Sequence, residues 1–180
     1  VLTPRLTGRL GKTLPAMASA AALALTLSAA PASAADIPPP DTVVTSPNVA
    51  HVANVPKPES IAATINTDIA FQGHYAFVGN YGGFSIYDIR NPRRPSLVSS
   101  VVCPGAQMDV SVYGDLLFAS VDASRSDDSC NSTDQSAEVK ESWEGIRIFD
   151  ISDLRNPRYI KSVETACGSH THTLVPDKRK

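Results

Sequence analysis

The chain has little cysteine, almost no tryptophan and no excess of positive charge. It holds 3 Cys, 1 Trp and a formal net charge of −2 in 180 residues. Nothing in that balance supplies a basic stripe to track a phosphate backbone, so nucleic acid is set aside as a partner. The sequence lacks Gly-x-Ser-x-Gly, His-Glu-x-x-His, Cys-x-x-Cys and any phosphate-cradling glycine loop, and with them the familiar nucleophile, zinc-protease, redox and nucleotide sites. It also lacks a convincing helical period of apolar residues beyond the first thirty or so positions, which sets helical solenoids aside.

The one long apolar run, residues 14–30, follows Arg5, Arg9 and Lys12 and precedes Ala32-Ser33-Ala34. That order predicts a secretory signal peptide over residues 1–34. The run is short for a bilayer core and Pro31 ends it, so no transmembrane segment is expected in the mature chain. Removing three basic and no acidic residues takes the formal charge from −2 to −5. An exported chain is free to form disulfides. Residues 35–66 follow with a Pro-Pro-Pro run and Pro47, Pro56 and Pro58, the composition of an extended tether. Within it residues 51–55 are expected to form one strand, the outer strand of a last blade.

What is present is repetition. Residues 68–79 line up with residues 109–120 at an offset of 41, Asp68 on Asp109 and Gly73 on Gly114. Each copy reads as strand, two-residue turn containing Gly, strand. Gly83-Phe84-Ser85-Ile86-Tyr87-Asp88 returns as Gly145-Ile146-Arg147-Ile148-Phe149-Asp150, and a fourth strand follows each Asn-Pro turn, at residues 95–102 and 158–165. Four antiparallel strands in a period of about 41 residues predict an all-β fold of β-propeller blades over residues 67–180. The second copy carries an insertion at residues 122–144 with seven acidic and two basic residues. A third copy is expected from Cys167, matched to Cys103. A ring needs roughly four to eight blades, so the propeller is expected to be incomplete and the chain to be the N-terminal piece of a longer protein.

Residues 83–95, 103–117, 143–157 and 162–176 together resemble the LVIVD-repeat family of secreted bacterial proteins, whose repeats are similar to propeller blades. The signature, a strand ending in Asp and followed by Asn-Pro-x-x-Pro, is specific at residues 88–95 and degenerate at residues 150–159. The resemblance implies a fold and an exported location. It implies no reaction, so no catalytic residue is carried over.

The candidate sites lie at one end of the blades, where the loop before a first strand and the loop between the second and third strands open together. Cys103, Cys130 and Cys167 are all expected there. A Cys103 to Cys130 disulfide that ties down the insertion is the preferred pairing, with Cys167 left for a cysteine elsewhere. His170 and His172, separated by one residue before a strand, are expected on one side as half of a transition-metal site, and a reduced Cys167 beside them would suit copper or zinc. Asp68, Gln107 and Asp109 form the polar ring expected at the channel mouth. Asp122, Ser124, Ser126, Asp127 and Asp128 do not meet the calcium-loop order, and Trp143 is expected to pack over a blade edge. Two functions follow as expectations: a binding module at the cell exterior whose partner is a protein, glycan or small molecule, or a metal-dependent oxidoreductase or hydrolase using His170 and His172.

Overall fold

Gly73 and Gly114 each open a two-residue turn, at φ 60° and 59°, a left-handed conformation that a side chain would strain. Each turn folds its flanking residues into a hairpin, β1 (Asn66–Gln72) with β2 (Tyr75–Asn80) and β5 (Val110–Tyr113) with β6 (Leu116–Arg125). The third strands, β3 (Gly83–Asp88) and β7 (Trp143–Asp150), and the fourth, β4 (Ser96–Val102) and β8 (Arg158–Glu164), add in turn. The result is two four-stranded antiparallel sheets in the orders β1-β2-β3-β4 and β5-β6-β7-β8. The structure is a computed structural model that describes residues 39 and 42–177. The chain divides into two units, Val1–Val44 and Thr45–Lys180, and every element named here lies in the second.

The repeated glycine at the head of each third strand has a steric cause. A Cβ on Gly83 would stand 1.9 Å from the Val101 carbonyl oxygen, and one on Gly145 would stand 2.1 Å from that of Val163. The fourth strand can therefore close onto the third only where that atom is missing. The aspartate at the far end is equally explicable: Asp88 Oδ1 accepts from Arg90 N at 2.8 Å and Asp150 Oδ1 from Ser152 N at 2.9 Å. Each carboxylate caps the turn that stops its strand.

The two sheets share one core. Phe77, Phe84 and Ile86 of the first meet Val110, Leu117, Ala119, Phe149 and Ile151 of the second, and the Phe84 and Phe149 rings cross edge to face at 4.9 Å between centroids. A fully buried side chain of this size contributes about 1.5–3 kcal/mol, so this shared core holds the two repeats together. Because successive residues of a strand face opposite ways, Ile86 serves the first blade and Phe149 the second in the same shared core. Backbone ties cross the seam as well: Thr67 Oγ1 donates to Met108 O at 2.9 Å, and the Gln72 amide exchanges hydrogen bonds of 2.9 and 3.1 Å with the backbone of Gly114. These are two propeller blades packed in sequence.

Two expectations are corrected. Residues 51–55 are in no strand; the prolines on both sides hold them extended with no ladder to join. Within the insertion at residues 122–144, β6 runs on to Arg125 and pairs with Trp143, leaving residues 126–142 as its loop. The third copy is displaced by two residues. Thr165 N donates to Glu144 O as Cys103 N does to Gly82 O, and Gly168 (φ 71°) repeats the left-handed Ala106 (φ 63°). Thr165, and not Cys167, therefore corresponds to Cys103, and residues 171–177 are not paired into a strand. The signal peptide expected over residues 1–34 lies outside the described residues, and among those described no helix is long and apolar enough to cross a membrane.

Candidate functional site

Two polar assemblies stand at the loop-bearing end of the blades. The first is a seam of aspartates. Asp68, on β1, accepts from Val110 N at 3.0 Å, and one repeat on Asp109 accepts from His172 N at 2.7 Å. The same carboxylate thus pins the start of each following repeat. Burial pushes the Asp109 carboxyl above its ordinary value; the His172 backbone N–H pulls it back, and the negative charge of Asp68 raises it again. Asp68 and Asp109 are thus close enough for one charge to act on the other. Gln107 is held by its backbone, its N–H donating to Asp122 Oδ1 at 3.0 Å.

His170 and His172 go to different partners. His170 Nδ1 meets Asp122 Oδ2 at 2.6 Å, and its side chain is 63% exposed. His172 is 12% exposed, with Nδ1 at 3.1 Å from Asp109 Oδ2 and 2.8 Å from Ser120 Oγ, and Nε2 at 2.7 Å from Ser111 Oγ. Among the described residues no group of three or more His, Cys, Asp or Glu is placed to hold a metal ion. Cys167 is exposed and unbonded.

Ser111, His172 and Asp109 follow one another in the order of nucleophile, base and carboxylate, with Nε2 hydrogen-bonded to Ser111 and Nδ1 within 3.1 Å of Asp109. Position decides what that order can do. Ser111 corresponds to Ala70, 41 residues earlier, which packs against the shared core between repeats. Nδ1 is hydrogen-bonded to Ser120 Oγ, so Asp109 does not orient the ring alone. The network sits in a seam, where it holds the His172 segment against the second blade.

The second assembly is the loop at residues 126–142. Cys103 and Cys130 are joined by a disulfide, S–S 2.08 Å, across 27 positions. Arg147, on the central strand β7, is wholly buried beneath the loop. Its Nε donates to Asp128 O at 2.9 Å, Nη1 to Pro104 O at 2.7 Å, and Nη2 to Ser129 O at 2.9 Å and Ser132 Oγ at 3.0 Å. Every one of these acceptors is neutral. Burial, and next the charge of Arg125, bring the guanidinium down to about 10. Trp143 lies beneath that group at 5.2 Å and is buried, so it supports the cation and does not cover a blade edge. Arg125 shares Ser132 Oγ, donating to it at 3.2 Å, and pairs with Asp134.

Arg147 gave little sign of itself in sequence, since the first repeat has Ser85 at that place. The available signal was its position two residues before Phe149, hence on the same face of a central strand. Asp128 completes the anchorage, accepting from Ser162 Oγ at 2.6 Å and Tyr159 Oη at 2.8 Å. Those hydroxyls, Ser162 first, hold its carboxyl below the ordinary 3.8. A depressed acid stabilises the fold above its unfolded pKa, and that contribution is lost as pH falls through the folded one. Amide exchange in residues 126–135 is therefore expected to accelerate below about pH 3.8, and Asp128→Asn to weaken that dependence; an unaltered profile in the variant contradicts the anchor.

The fold and these sites define a propeller-type repeat protein with a braced loop at one end. Residues 65–102 match the family model of the LVIVD repeat, a span that takes in β1 through β4. The chain carries an LVIVD repeat as its first blade. The second blade interrupts the same pattern with the loop at residues 126–142. No curated protein matches the chain.

Proposed function

We propose that the protein is an exported binding module, with the braced loop and its surroundings as the contact surface. The observation that carries this reading is Arg147. A fully buried cation spent on neutral loop carbonyls serves to fix one conformation of an otherwise polar loop, and a loop ordered in advance does not lose that entropy on binding. The disulfide supports export, since such bonds persist in oxidising compartments, as does the leader expected at residues 1–34.

A second reading keeps His170 and His172 for a metal-dependent enzyme. Asp122 on Nδ1 of the exposed His170 supports it, because a carboxylate on one ring nitrogen orients the other toward a ligand. One set of preparations tests both. The oxidised full chain is expected to bind isolated cell envelopes, and replacement of residues 127–141 by a short Gly-Ser link should abolish binding with the strand circular dichroism retained. Unchanged retention by the loop-replaced chain overturns the binding module. Stoichiometric zinc or copper, lost in His170→Ala, selects the enzyme instead.

A further inference from the structure

Between the turn that joins β2 to β3 and the braced loop lies a cleft of about 620 Å³, lined among others by Tyr81, Ala106, Arg125, Thr133 and Asp134. Its volume is in the range of a small-molecule site. Two guanidiniums stand at its polar side, Arg125 on the wall and Arg147 behind, both donating to Ser132 Oγ. Among the described residues one carboxylate is bonded directly to the pair. It is Asp134, whose side chain is 91% exposed while that of Arg125 is 6% exposed.

A deeply placed cation covered by one solvent-washed carboxylate is a site where an incoming carboxylate can take over the pairing. The other wall is apolar. Tyr81 remains 39% exposed beside it, and Pro104 and Ala106 continue the surface. Ala106 is the sole non-glycine residue with positive φ among those described, at 63°, and the next repeat has Gly168 at that place. Strain of this kind is retained where the local shape is used.

We propose that this cleft binds a carboxylate-bearing sugar residue, the acid on Arg125 in place of Asp134 and the C–H face of the ring on Tyr81. The proposal rests on the binding-module reading and names its ligand chemistry. A flexible acidic side chain of a peptide would satisfy Arg125 but offers no flat face to Tyr81, and a neutral sugar offers no acid.

The probe is D-galacturonate, titrated into the oxidised full chain and followed by the fluorescence of Trp143, the only tryptophan, which lies under Arg147. Saturable binding is expected, weakened by salt and absent with D-galactose. Asp134→Asn, which removes the competing charge and keeps an amide oxygen for Arg125 to donate to, should tighten binding about fivefold, the scale of one ion pair. Tyr81→Ala should weaken it about tenfold, the scale of a lost ring contact. No saturation by wild type and Asp134→Asn, equal binding of galactose, or equal binding of a glutamate-rich peptide each overturns the proposal. Envelope binding that still depends on the loop would then leave the broader reading standing.

Discussion

Arg147→Met lowers the stability of the chain by about 2–4 kcal/mol, the scale of leaving several buried acceptors without a donor, and releases residues 126–135 to exchange with solvent. Methionine fills much of the same volume, so the loss is one of hydrogen bonds and not of packing. The carbonyls of Asp128, Ser129 and Pro104 lose their donor at once, and each acceptor left without one costs about 1–3 kcal/mol unless water reaches it. Part of this is returned, because the charge itself is unfavourable there, as its fall to about 10 shows. Arg147→Lys separates the two effects: it keeps the charge and supplies one donor point where the loop needs a fork, so it should recover less than half. The check is a urea midpoint with the slope unchanged, together with amide exchange across the loop. A midpoint within 1 kcal/mol of wild type for Arg147→Met removes the claim that this residue organises the loop.

The fate of Arg147 shows why the period of the backbone was readable and the polar interior was not. Alternation, the two Gly-opened hairpin turns and the recurring Gly83 and Gly145 each report a strand pairing, and the pairings are the same in both blades. Polar side chains carry no such period. Asp122 counts in sequence as one more acid of the insertion, yet it lies within β6 and joins the Gln107 backbone to His170. Cys103 and Cys167 invite matching because they are chemically alike, and the backbone bonds of Gly82 and Glu144 set the register two residues away from that match. His170 and His172, alternate in sequence, would share a side only on a regular strand; residues 171–177 form none, so the two imidazoles turn to separate carboxylates. Asp68 and Asp109 were legible for the opposite reason. Their role, accepting the first N–H of the next repeat, is itself repeated.

Loss of the Cys103 to Cys130 disulfide is the second large effect. The bond closes a loop across 27 positions, and the chain-entropy relation gives about 3–4 kcal/mol for a loop of that length. In a domain of this size the melting temperature should fall by on the order of 10 °C. The effect should not add to that of Arg147. Nη1 of Arg147 reaches Cys103 Sγ at 3.3 Å as well as Pro104 O, so the covalent bond and the guanidinium fix the same segment against the same strand. In a double-mutant cycle of Cys130→Ala and Arg147→Met the pair should cost less than the two separately by about 1–2 kcal/mol, because a loop already released by one has little order left for the other to remove. Cys130 is the member to change, since Cys103 is wholly buried and its truncation would add a cavity. Reduction of the wild-type chain supplies the control, with no side chain altered. Additive losses would mean that the two anchors hold separate parts of the loop, and the single preordered surface on which the proposed binding rests would not exist.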